Sequence, residues 1–127
     1  MGTPTLLRSI SHQEEAMSDE LINSDAMYRS LLKIGEEWAD AKSAYQALDD
    51  ATSTVLADLT QFHRSGDISR AEAETVARAS TAYKDHLVSV AAANKHYLRA
   101  QVKYDSLKML VELRRSEESS RRAEMRL

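Results

Sequence analysis

The sequence has no cysteine, one proline, three glycines and only 6% aromatic residues. Without cysteine there is no disulfide framework and no thiol chemistry. With so little proline and glycine there is almost no turn vocabulary, so few chain reversals are expected. No apolar run approaches the ~18 residues of a membrane-spanning helix. The N-terminus lacks the apolar core of a secretory signal. Met1-Gly2 opens like a myristoylation signal, but Leu6 stands where that motif requires Ser or Thr. These absences lead to the expectation of a soluble, cytoplasmic protein.

What the chain does contain is helix formers and charge. It has 127 residues, of which 29% are charged, and is read as one all-α domain. From Ser69 to Met125 there is no Gly or Pro. As a single helix this stretch is roughly 84 Å long at ~1.5 Å per residue. The usual globular helix has ~10–14 residues, so such a rod must lean on another helix or on another subunit.

A first helix is predicted over residues 25–64, capped by Ser24 or Asp25. Its apolar seam is Met27, Leu31, Ile34, Trp38, Ala41, Tyr45, Leu48, Thr52, Val55, Leu59 and Phe62. The steps alternate 4 and 3 throughout, the 3.5-residue repeat of coiled-coil packing. Gly35 interrupts this helix at a cost of ~1 kcal/mol against Ala. A turn is predicted over 65–68, with Gly66 in the left-handed position past the helix end. Ser69-Arg70-Ala71-Glu72 is a capping box that starts a second helix over 69–125, with Ile68 positioned to staple onto it. The fold class expected is therefore a long antiparallel helical hairpin with coiled-coil-like packing that assembles into a homo-oligomer. Residues 1–24 form an N-terminal arm, frayed or in a short helix begun by the capping box Ser11-His12-Gln13-Glu14.

The second helix carries a more polar seam: Val76, Ser80, Tyr83, Leu87, Val90, Asn94, Tyr97, Gln101, Tyr104, Lys108 and Val111. A second apolar line, Val88, Ala91, Leu98, Val102, Met109 and Leu113, lies on a neighbouring face. Two faces imply two partners. The oligomer interface is assigned to Asn94, Leu98, Gln101, Val102, Met109 and Leu113. Asn94 and Gln101 either set register there or sit at the seam edge and bind water. The tail from Arg114 to Arg126 overhangs the first helix and has no partner but the arm.

Catalysis is not expected. His12, His63, His86 and His96 have no cysteine partners and no metal-binding spacing. No metal or cofactor is implied, because there is no glycine-rich phosphate loop and a helical rod offers few pockets. Glu36-Glu37 and Asp49-Asp50 read as solvated charge.

Charge placement says more. Residues 1–60 hold 4 basic and 11 acidic side chains, whereas residues 95–127 hold 9 and 5. Lys95, Arg99 and Lys103 recur every four residues, and Lys108 extends the basic character. Tyr97 and Tyr104 lie close by, and Arg64 and Arg70 flank the turn. Cations that track a backbone beside aromatic rings suit single-stranded nucleic acid. The bland reading is solvated cations with both tyrosines packed in the seam.

Val55-Leu56-Ala57-Asp58-Leu59, then Phe62, Ser65-Gly66-Asp67 and Tyr83-Lys84-Asp85-His86-Leu87 form a pattern across the turn. In this the chain resembles the UvsY family, recombination mediators of T-even-like phages, over roughly residues 27–113. The resemblance implies a ring-like homo-oligomer that binds single-stranded DNA and uses no ATP. It also implies partners: a RecA-like recombinase, which the mediator helps to load, and the single-strand-binding protein that it helps to displace. A phage-encoded chain would act in the bacterial host cytoplasm. The family has a basic patch late in the first helix, where this chain has Asp49, Asp50 and Asp58 and no cation until Arg64. DNA contacts are therefore assigned to Arg64, Arg70, Lys95, Arg99, Lys103 and Lys108. The alternative is a structural or adaptor coiled coil that binds only protein. Secreted hairpins of the Trp-x-Gly type need that motif in the turn, and Trp38 is far from it.

Overall fold

A computed structural model describes residues 24–126. The arm expected over 1–24 lies, apart from Ser24, outside the described residues. Four helices follow in order: α1 Ser24–Asp50, α2 Thr52–His63, α3 Arg70–Ala79 and α4 Thr81–Arg126. Among the described residues there is no strand, so the protein is all-α.

The division between α1 and α2 is slight. Ala51 keeps helical angles, φ −73° and ψ −12°. Its N–H donates to the Ala47 carbonyl at 3.1 Å, and the Val55 N–H donates to the Ala51 carbonyl at 2.9 Å. The hydrogen-bond ladder thus runs through, as a helix needs. After His63 the chain turns extended at Arg64, whose N–H donates back to the Gln61 carbonyl. The Ile68 N–H closes the turn onto the Ser65 carbonyl at 2.9 Å. Gly66 does not take the left-handed conformation expected of it, because these two bonds already satisfy the turn. Ser69 caps α3 as its sequence indicates, its Oγ accepting from the Glu72 N–H at 3.2 Å.

The stretch read as one helix over 69–125 is divided at Ser80. Ser80 is extended, at φ −69° and ψ 150°. Its hydroxyl donates to the Ala77 carbonyl at 2.6 Å and accepts from the Tyr83 N–H at 3.2 Å. One side chain therefore ends α3 and starts α4, satisfying orphan groups of both.

The described residues belong to two compact units, one of Glu37–Gln101 and one of the residues up to Glu36 with those from Val102 onward. In the first, Ala41 is buried and Trp38, Tyr45, Leu48, Thr52, Val55 and Leu59 are half-buried. Tyr45 stacks on Tyr97 with ring centroids 5.8 Å apart. Thr52 Oγ1 lies 2.9 Å from His86 Nε2. The helices α2 and α3 pack together closely because Ala73 and Ala77, both 0% exposed, hold no bulk between them. In the other unit Met27 is buried and Leu31 and Ile34 are half-buried. The Tyr104 ring lies where a Cβ on Gly35 would meet it at 3.2 Å. Gly35 therefore serves as a close-approach site, which offsets its helix cost. Ser24, Met27 and Tyr28 share a hollow of about 70 Å³ with Val111, Arg114 and Glu118. The start of the tail thus has a neighbour in the start of α1, contrary to the expected overhang.

Phe62 departs from the seam. It is 81% exposed, whereas every seam residue from Met27 to Leu59 is buried or half-buried. The helix ends one residue later, and Thr60 and His63 face inward in its place.

Candidate nucleic-acid interface

The turn and the helix ends beside it form the most distinctive surface of the Glu37–Gln101 unit. A hollow of about 350 Å³ is lined by Leu56, Thr60, Gln61, Arg64, Arg70 and Glu74, with Ser53 and Ala57. It is open, and Arg64 and Arg70 on its rim are exposed. Glu74, the carboxylate among its walls, is engaged by Arg78 at 2.9 Å. Among the described residues no carboxylate pairs with Arg64 or Arg70. The Thr60 hydroxyl donates to the Leu56 carbonyl at 2.7 Å. Next to this hollow in sequence stands the exposed ring of Phe62, held edge-on by the His63 ring at 5.2 Å between centroids.

The hollow brings two cations together, and the chain carries an exposed aromatic ring two residues before the first of them. A guanidinium recognises phosphate through fixed, paired donors. An exposed ring offers a stacking surface that any base can use, worth ~1–3 kcal/mol per base. Spacing alone places Phe62 in the core, because it continues the seam. The signal that separates it is position: it is the last apolar residue before the helix ends.

The other assigned cations lie on α4. Lys95, Arg99, Lys103 and Lys108 are all exposed, and none has an ion pair among the described residues. Further along α4, by contrast, Arg114 pairs with Glu117 at 3.3 Å and Arg122 approaches Glu118 at 3.9 Å. Such exposed pairs add little stability, but they do reduce the free positive charge of the tail. Tyr97 and Tyr104 are half-buried, one against Tyr45 and the other against Gly35, so their rings serve packing. Of the residues assigned to an oligomer interface, Asn94 and Gln101 are half-buried, whereas Leu98, Val102, Met109 and Leu113 are exposed. Val102 and Met109 leave 65% and 71% of their surface in solvent.

Among the described residues no group of three or more His, Asp and Glu side chains could hold a metal ion. No helix among them is long and apolar enough to cross a membrane. Comparison with protein-family models, curated proteins and solved structures gave no match.

Proposed function

We propose that the chain is a phage-type recombination mediator, an antiparallel helical hairpin that self-associates, binds single-stranded DNA and assists a RecA-like recombinase. The observation that carries this reading is the pair Arg64 and Arg70 on one hollow, two cations without carboxylate partners among the described residues, with the exposed Phe62 ring two residues before Arg64 in the chain. The hairpin is supported by two contacts in one unit: Tyr45 meets Tyr97 and, further along α1–α2, Thr52 meets the earlier residue His86. Phe62 stacks on a base while Arg64 and Arg70 hold the neighbouring phosphates. Arg99, Lys103 and Lys108 add phosphate contacts along α4, and self-association multiplies them. The mediator's work is positioning and mass action, with no covalent step. The recombinase and the displaced single-strand-binding protein are the partners that the UvsY resemblance implies.

The test is fluorescence anisotropy of a labelled oligo-dT strand with the full chain at low and high salt. Binding should fade steeply with salt, because each neutralised phosphate releases a counterion. Phe62→Ala should weaken it about tenfold, by the lost stacking. Arg64→Ala/Arg70→Ala should weaken it and flatten the salt dependence. No low-salt binding would sink the reading. The exposed apolar residues of α4, which have no use in a DNA contact, would then favour the adaptor reading, in which the chain binds only protein.

A further inference from the structure

The outer face of α4 repeats with coiled-coil spacing. Val88, Lys95, Val102 and Met109 occupy one row, seven residues apart. Ala91, Leu98, Asp105 and Glu112 occupy the adjacent row. All eight are exposed, and α4 is uninterrupted from Thr81 to Arg126, so the two rows form one continuous seam. Five of the eight are apolar, and an exposed heptad face of this kind fits a facing helix.

The geometry points to a second copy of this chain as that helix, lying antiparallel on α4 so that Lys95 faces the partner's Asp105. The proposal rests on the self-association in the reading above and names its contact. In antiparallel coiled coils each residue of one row meets a residue of the other row. With the two-fold axis beside position 100, Leu98 meets the partner's Val102 and Ala91 meets the partner's Met109, a small residue against a large one. Lys95 meets the partner's Asp105, and Val88 lies along the stem of the partner's Glu112. The symmetry repeats every contact, as a self-complementary interface requires. The paired length, Val88 to Glu112, is roughly 36 Å.

Charge selects this arrangement against its neighbours. A parallel in-register pair would set Lys95 on the partner's Lys95 and Asp105 on the partner's Asp105. An antiparallel pair shifted one heptad one way would press Asp105 onto the partner's Val102. Shifted the other way, it would press Lys95 onto the partner's Leu98. The first of these shifts also sets Lys95 on the partner's Glu112 and Leu98 on the partner's Met109. The register centred near 100 keeps the opposite-charge pair and joins twice as many apolar contacts, Leu98 with the partner's Val102 and Ala91 with the partner's Met109, which is how seam residues specify register. Arg99, beside the axis, meets its own copy, and its long side chain turns out to solvent.

The test is a charge swap followed by light scattering on the full chain. Wild type should be a dimer or an even-numbered assembly. K95D alone sets two aspartate pairs face to face, and D105K alone sets two lysine pairs face to face. Each should weaken self-association about 100-fold or more, since like-charge contacts at an interface cost several kcal/mol. Both residues are exposed, and circular dichroism checks that the helices persist. An equimolar mixture of K95D and D105K should recover the assembly as a one-to-one heterodimer, because both cross pairs become complementary. The double variant K95D/D105K should recover it as well. A monomeric wild type, an indifferent K95D or a mixture that fails to recover would each overturn the pairing. The two readings fail separately. A wild-type dimer that ignores oligo-dT sinks only DNA binding, and a monomer that binds oligo-dT sinks only the pairing.

Discussion

Gly35 shows how one residue can carry two opposed terms. A glycine inside a helix costs ~1 kcal/mol against alanine. Here the missing Cβ leaves room for the Tyr104 ring, which an added carbon would meet at 3.2 Å. Gly35→Ala therefore gains helix propensity and loses contact geometry, and the two should nearly cancel. Gly35→Val adds bulk that the ring cannot evade and should destabilise by about 1–3 kcal/mol, as overpacking does. Urea denaturation of the two variants separates the terms. A gain of a full ~1 kcal/mol in Gly35→Ala would show that Tyr104 does not rest there. From sequence, Gly35 carries only its cost, because the ring that uses the space arrives from 69 residues further along the chain.

At the level of elements, the clearest departure from sequence expectation is the break at Ser80. Its hydroxyl bonds both the Ala77 carbonyl and the Tyr83 N–H. Ser80→Ala should therefore cost about 1 kcal/mol, the usual value of a lost N-cap, while Ser80→Thr should retain most of it. Denaturation midpoints measure both. If Ser80→Ala instead raised helicity and stability, with α3 and α4 fusing, the cap would not be what holds the break. The first seam was legible because eleven positions agree on one period, and packing confirms all of them but Phe62. The break was not legible. Ser80 is flanked by Ala79 and Thr81 within a run free of Gly and Pro, so propensity gave no stop signal. Phe62 departs for the converse reason: in the last turn of α2 the inward positions are Thr60 and His63, so the period of the seam no longer marks the buried face. The cations could be named from sequence, but their separation into free and carboxylate-paired groups required side-chain positions.

The whole molecule is built on small and half-buried contacts. Among the described residues the buried apolar set is Met27, Ala41, Ala73, Ala77, Tyr83 and Ala100, and no large side chain is fully enclosed. Four of the six are alanines, which add little transfer energy, at roughly 25 cal/mol per Å² of apolar surface removed from water. Meanwhile Val88, Val102, Met109 and Leu113 keep most of their surface in solvent. A chain that leaves its larger apolar groups outside gains by association what its own interior does not supply. Association that favours only the folded state raises stability with concentration. The thermal midpoint should therefore climb by a few degrees for each tenfold rise in protein, since ~1.4 kcal/mol of linkage moves a domain of this size by about that much. Circular dichroism melts across a hundredfold concentration range make the measurement, with K95D as the control. The wild type should shift and K95D should not. A midpoint independent of concentration in the wild type would mean that the monomer is stable by itself, and the exposed face of α4 would then have to be matched to a different protein.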